Sequence, residues 1–236
     1  MTLLLPELNE RREEFEAHYG LAEALQDRMM LDSALGSISL SVRHLNTIKS
    51  GLIVHIYNIV EALMTRSLSH LGSALGSTDP RQWTEHTLRE WLRENIVDRT
   101  SEGNEEARLS VAFERSNCLL GQGAPGPHTL KKPSGSWNDK IIALFFRRMS
   151  IRCDMPPEMW SRIAASPRYG DKTPLEFLAD RRNAIAHGKR SFENGASDLD
   201  LQDIKALSDI CLDYMGYTVG AVEKHVSDGA FLVVAA

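Results

Sequence analysis

Residues 173–188 read Thr173-Pro174-Leu175-Glu176-Phe177-Leu178-Ala179-Asp180-Arg181-Arg182-Asn183-Ala184-Ile185-Ala186-His187-Gly188. Both ends of a helix are written into this stretch. Thr173 is an N-cap residue, Pro174 suits the first helical position, and Glu176 completes a capping box three residues after the cap. Gly188 stands where a left-handed residue ends a helix. The predicted helix therefore has about four turns. Its inward line is Leu175, Leu178, Ala179, Arg182 and Ile185. A lone arginine on or beside a buried stripe is costly without a partner, so Arg182 demands one.

The same helical periodicity extends in both directions, and strand alternation is nearly absent. A helix is predicted over about 6–31, with Pro6 in its first turn, acidic residues through its N-terminal half and a possible kink or break at Gly20. A second covers about 41–71. Its stripe of Leu45, Ile48, Leu52, Ile56, Ile59, Leu63 and Leu68 is wide enough to make it central. The pentapeptide Ser-Ala-Leu-Gly-Ser occurs at 33–37 and again at 73–77 and reads as a helix-ending connector, not a repeat, because its flanks differ. Asp79-Pro80 caps a helix running to about Val97, with Trp83, Leu88, Trp91, Leu92 and Ile96 inward. Polar residues 98–110 read as a loop. Residues 121–136, rich in Gly and Pro, read as a mobile loop. Asn138-Asp139 starts another helix and Pro156-Pro157 a short one. Asp198 or Asp200 can cap a final helix to about His225. The apolar end, Phe231 to Ala236, suits a strand or simple packing. Each half alone makes a poor core, so one domain over 1–236 with an inserted loop is expected.

Composition narrows the function. With 42% hydrophobic and 25% charged residues in 236, the chain has enough apolar surface for a core. No apolar run approaches the roughly 20 residues a membrane helix needs. The N-terminus lacks a basic n-region, and Cys118, Cys153 and Cys211 form no disulfide framework or CxxC pair. A cytoplasmic protein is expected. The net charge of -5 hides a pattern. Residues 1–120 carry 12 basic and 18 acidic residues, 121–190 carry 13 and 6, and 191–236 carry 2 and 8. The middle stretch is a basic island. It suits a polyanion surface, or equally a set of solvated helix faces balancing the acidic ends.

The motif helix ends inside that island. Asn183 and His187 are four apart and share a face. Arg182 and His187 are five apart, about 140° around an ideal helix. They converge on one phosphate only if the helix end opens, or if two copies of the helix meet across a dimer axis. The dipole alone also favours His and Arg at a helix C-terminus, which is the structural alternative.

Arg182-Asn183-Ala-Ile-Ala-His187 resembles the Arg-polar-x3-His signature of the HEPN superfamily. Leu52-Ile-Val-His-Ile-Tyr-Asn-Ile-Val-Glu-Ala-Leu on the second long helix and the acid-capped final helix agree with it. The likeness is to HEPN-like nucleases of bacterial toxin–antitoxin and antiviral defence systems. It implies an all-α fold, an antiparallel helical bundle with extra helices and the inserted loop, dimerising through the motif helix. It also implies a metal-independent endoribonuclease with RNA as substrate and no cofactor; the sequence offers no metal-ligand cluster such as HxxxH or HExxH.

Under that resemblance Arg182, Asn183 and His187 are the catalytic candidates. His187 suits proton transfer near neutrality, Arg182 the charge on a phosphorane, and Asn183 a phosphate or the His ring. Glu61, on an otherwise apolar helix, is the candidate partner of Arg182, or is solvated at the stripe's edge. Asn58 is a second supporting candidate, or a buried amide. Tyr57 reads as core. Arg181, Lys189 and Arg190 would bind RNA backbone, or are ordinary helix-end charge. His44, His55 and His225 lack matching partners and read as structural. The competing reading is a non-catalytic HEPN module that binds a nucleotide or a partner protein, such as an antitoxin or a nucleotidyltransferase.

Overall fold

The computed structural model describes residues 4–35, 41–98, 104–121, 125–126 and 130–233. Among these, eight α-helices carry the fold: α1 Leu4–Leu35, α2 Val42–Gly76, α3 Glu85–Leu92, α4 Glu105–Leu120, α5 Asp139–Met149, α6 Pro157–Ile163, α7 Pro174–Ala186 and α8 Leu201–Ser227. No strand occurs among the described residues, only isolated bridges between Trp83 and Leu232 and between Ser166 and Lys172. The expected all-α class is what the chain adopts.

Contacts gather the chain into two compact units. The first comprises residues 1–63, 136–139 and 155–218, the second 64–135, 140–154 and 219–236. Both α2 and α8 contribute one end to each. In the first unit, α1 buries Phe15 and Tyr19, and α2 buries Ile53, Ile56, Tyr57, Val60 and Leu63. Leu175, Leu178, Ala179 and Ile185 of α7 and Ile204, Leu207, Cys211 and Met215 of α8 complete the apolar interior. Burial at three- and four-residue spacing is what an amphipathic helix requires. Gly20 leaves α1 unbroken.

Asp200 settles the two possible starts of α8. Its carboxylate accepts from the Asp203 N–H at 2.7 Å, and the Asp203 carboxylate accepts from the Asp200 N–H at 3.2 Å. That is a reciprocal cap, and it leaves Asp198 free of capping duty.

The second unit differs most from expectation. α2 runs on through Ser73 to Gly76, so the second pentapeptide is helix up to its last residue. The expected single helix from Pro80 to Val97 is divided. Pro80–Gln82 is a 3-10 turn capped by Asp79, Thr84 recaps α3 at the Thr87 N–H, and Arg93–Asp98 continues as a π-helical turn. Trp83 interrupts it by extended backbone, its indole donating to Thr78 at 2.8 Å. Residues 105–110, expected to be loop, belong to α4, whose Asn104 cap accepts from the Ala107 N–H at 2.9 Å. α4 buries no residue, so apolar periodicity had nothing to report there. Of the expected loop at 121–136, the described residues 121, 125–126 and 130–136 form no helix or strand. The rest of it lies outside the described residues. Phe231 packs within this unit, and its carbonyl accepts from Thr84 N–H at 2.9 Å and Thr87 hydroxyl at 3.2 Å. Residues 234–236 of the apolar end lie outside the described residues.

Candidate active site

The α7 helix forms as its sequence dictates. Thr173 Oγ1 accepts from the Glu176 N–H at 3.1 Å and donates to Asp139 Oδ1 at 2.5 Å, tying the start of α7 to the start of α5. At the other end His187 is the C-cap, and Gly188 adopts φ +68°. A non-glycine residue there would be strained. The turn lets the Arg190 N–H fold back onto the Ala184 carbonyl at 2.9 Å.

Arg182 sits half-buried on the α7 face toward α2. Its Nη2 donates to Glu61 Oε2 at 3.0 Å and its Nη1 to Asn183 Oδ1 at 3.2 Å. Its guanidinium carbon lies 4.6 Å from the centroid of the Tyr57 ring. Tyr57 and Glu61 are one turn apart on α2, so one helix supplies both the flat face and the carboxylate. Among the described residues these contacts engage two of the five N–H donors of the arginine. Asn183 is held in turn, its Nδ2 donating to Ser136 Oγ at 2.7 Å. Tyr57 is 1% exposed, and its hydroxyl accepts the Trp137 N–H at 3.0 Å. Burial pushes its phenol above the ordinary value. The result is a chain of contacts from Glu61 through Arg182 and Asn183 to Ser136, with Tyr57 beneath.

His187 is exposed, and its backbone N–H still donates to the Asn183 carbonyl at 3.0 Å. The helix therefore stays closed to its last turn. The last-turn hydrogen bond is kept, so the expected alternative of an opened helix end is not the one adopted.

The HEPN_MAE_28990 family model, of HEPN-like domains, matches residues 2–228. The chain belongs to the HEPN family. No curated protein and no solved structure matches it. The match covers nearly the whole chain and takes in most of both compact units.

Around the Arg-Asn-x3-His segment of this HEPN chain, the flanking residues separate by role. Glu61 does pair with Arg182, as its place on an apolar helix suggested. Asn58 is exposed and is not a buried amide. It lines a separate groove of about 450 Å³ with Leu52 and His55. Arg181, expected on the RNA-facing surface, is instead 9% exposed. Its Nη1 and Nη2 meet the two Asp198 oxygens at 2.6 and 2.9 Å, Nη1 donates to the Gly195 carbonyl at 3.0 Å, and the guanidinium covers Phe177 at 4.8 Å. The Arg181 hydrogen bonds hold the Asp198 carboxyl below its ordinary value. Gly195 packs closely on α2 and α7, since a Cβ there would stand 2.6 Å from Ser50 Oγ and 2.7 Å from Ile185. The inward arginine is thus Arg181, and Arg182 is the half-exposed one. Arg190 is exposed and shares Asp198 at 3.2 Å, and Lys189 is exposed.

Sequence reasoning missed Ser136 and Trp137, and took Tyr57 for core alone. The spacing of Tyr57 from Glu61 was the available signal for Tyr57. His55 does have a partner, the His18 ring, with Nδ1 to Nδ1 at 3.1 Å. Among the described residues no cluster of three or more His, Cys, Asp or Glu is placed to hold a metal, and no helix is long and apolar enough to cross a membrane.

Proposed function

We propose that this HEPN chain is a metal-independent endoribonuclease of the toxin or antiviral defence kind, acting as a homodimer through α7. The observation that carries the reading is Arg182, braced by Glu61, Tyr57 and Asn183 yet half-exposed, five residues before an exposed His187. A guanidinium whose position is already set loses little freedom when it meets a phosphate.

The chemistry needs no group outside RNA and these side chains. The 2′-hydroxyl attacks the adjacent phosphorus, passing its proton to a base. The P–O5′ bond breaks and the leaving oxygen takes a proton from an acid. Histidine serves both transfers near neutral pH. Arg182 neutralises the charge gathering on the phosphorane oxygens. Asn183, held by Ser136, orients the phosphate. The products are a 2′,3′-cyclic phosphate and a 5′-hydroxyl. Lys189 and Arg190 guide the backbone, while Arg181 serves the internal Asp198 pair.

Five residues on a closed helix end set Arg182 and His187 about 140° apart, which favours a set shared between two copies. A two-fold pairing of α7 gives each Arg182 a His187 from the partner copy. Mixing Arg182→Ala with His187→Ala protein tests this. Each alone is inactive. After subunit exchange the mixture recovers roughly a quarter of wild-type cleavage, since half the dimers are mixed and each keeps one of two Arg–His sets. A mixture as inactive as its parents, with exchange verified by mass, places the site within one chain instead.

A further inference from the structure

We propose that the second unit carries its own phosphate-binding pocket, which takes a backbone phosphate of single-stranded RNA. This rests on the reading of RNA as substrate. A cavity of about 310 Å³ is lined by four cations, Arg93, Lys131, Lys132 and Arg148, and two carboxylates, Glu90 and Glu94. Whatever the pairing among them, the lining carries a net positive charge of two.

The two carboxylates organise the cations. The Glu90 side chain is 8% exposed, bonds Arg93 Nε at 3.1 Å through one oxygen and faces Arg148 Nη1 at 3.6 Å through the other. One buried acid thus splays two arginines along the wall. Glu94 accepts the Lys131 backbone N–H at 3.1 Å, which pins the Lys131-Lys132 segment at the rim. Pro133 follows, buried, and keeps that segment against the unit. Ser134 adds a hydroxyl to the lining. A concave wall with excess positive charge focuses field on a small anion more strongly than the same charges on a flat surface. Arginine forks and lysine ammonium groups are what phosphate oxygens require. The pocket also explains part of the basic island that α7 leaves over: Lys131, Lys132 and Arg148 belong to it and have no part in the Arg182 site.

The test measures binding, not cleavage. A 2′-O-methyl 20-mer cannot supply the attacking hydroxyl, so its affinity is readable whether or not the chain is a nuclease. Lys131→Gln/Lys132→Gln, at the rim of the pocket, is compared with wild type across a salt series by fluorescence anisotropy. The affinity is expected to fall about tenfold and the salt slope to shrink by about 1.4, the value for two phosphate contacts on a single strand. Lys131→Arg/Lys132→Arg is expected to keep both. Unchanged affinity and slope in the Gln variant, with its melting temperature intact, overturns the proposal. Tripolyphosphate binding that the Gln variant loses while RNA affinity holds also overturns it, assigning the pocket to a free polyphosphate. Weaker RNA binding in the Gln variant alongside no cleavage by wild type sustains the pocket and removes the nuclease reading.

Discussion

His187→Ala is expected to lower RNA cleavage by about 10²–10⁴-fold, the range over which a positioned acid–base group acts. Arg182→Ala is expected to cost about 10²–10³-fold, the loss typical of one group stabilising developing charge. Neither change should unfold the chain. His187 is exposed, where substitutions usually move stability by no more than about 0.5 kcal/mol. The Glu61 side chain is already 37% exposed beside Arg182, so water takes over its solvation when Arg182 is removed. Arg182→Lys keeps the charge but loses the fork that spans Glu61 and Asn183, and should recover only part of the rate. Single-turnover cleavage with thermal melts on the same samples checks all three. Full cleavage by both alanine variants would remove these residues from the chemistry.

Tyr57 produces the second large effect, and its two substitutions should diverge. Tyr57→Ala empties a site that is 1% exposed and removes the ring under Arg182. The expected cost is about 3–5 kcal/mol, as for other buried aromatics cut to alanine. In a chain of this size that lowers the melting temperature by roughly 10 °C. Cleavage should fall as well, because Arg182 loses its flat support. Tyr57→Phe keeps the ring and deletes the hydroxyl, which meets both the Trp137 N–H and the Ser136 side chain. Taking a buried hydroxyl away from its hydrogen-bond partners costs about 1–3 kcal/mol. Cleavage by the folded Phe variant should stay near wild type, because Arg182 rests on the ring and not on the hydroxyl. Equal loss of activity in both variants would assign the hydroxyl, not the face, to the site.

How much of this was legible depended on how local each signal was. The bounds of α7 rest on Thr173, Pro174 and Gly188, all within or beside the helix, and they are where the sequence places them. The Glu61–Arg182 pair was legible because each is a charge on a largely apolar stripe, and such charges need each other. Which arginine is buried was not legible. Angular position puts Arg182 at the centre of the α7 stripe and Arg181 at its edge. Residues 191–200 then cover that edge and offer Asp198 and the Gly195 carbonyl, and nothing in α7 announces them. α4 escaped notice because it has no buried face to impose a period. Its only local sign was Asn104 before two glutamates. Ser136 and Trp137 reach the site through tertiary contact with α2 and α7, and a glycine- and proline-rich stretch hides such roles.

The division of labour between the two arginines also shapes what α7 can do. Arg181 fastens the helix to residues 195–198 from one side, and Thr173 fastens its start to Asp139. With those anchors in place, Arg182 need not hold the fold and remains available to a ligand. The proposed reaction places function at 182 and 187 and structure at 173 and 181, so inactive but folded variants are expected at 182 and 187.

The proposed nuclease cleaves by internal 2′-hydroxyl attack at the Arg182–His187 pair. End-group mapping of RNA cut by the wild-type chain in excess EDTA tests it most directly. Cleavage that proceeds with the chelator present, leaves 2′,3′-cyclic phosphate and 5′-hydroxyl ends, and disappears in His187→Ala is the predicted result. Ends bearing a 3′-hydroxyl and a 5′-phosphate, or cutting that appears only with added Mg²⁺, would contradict it.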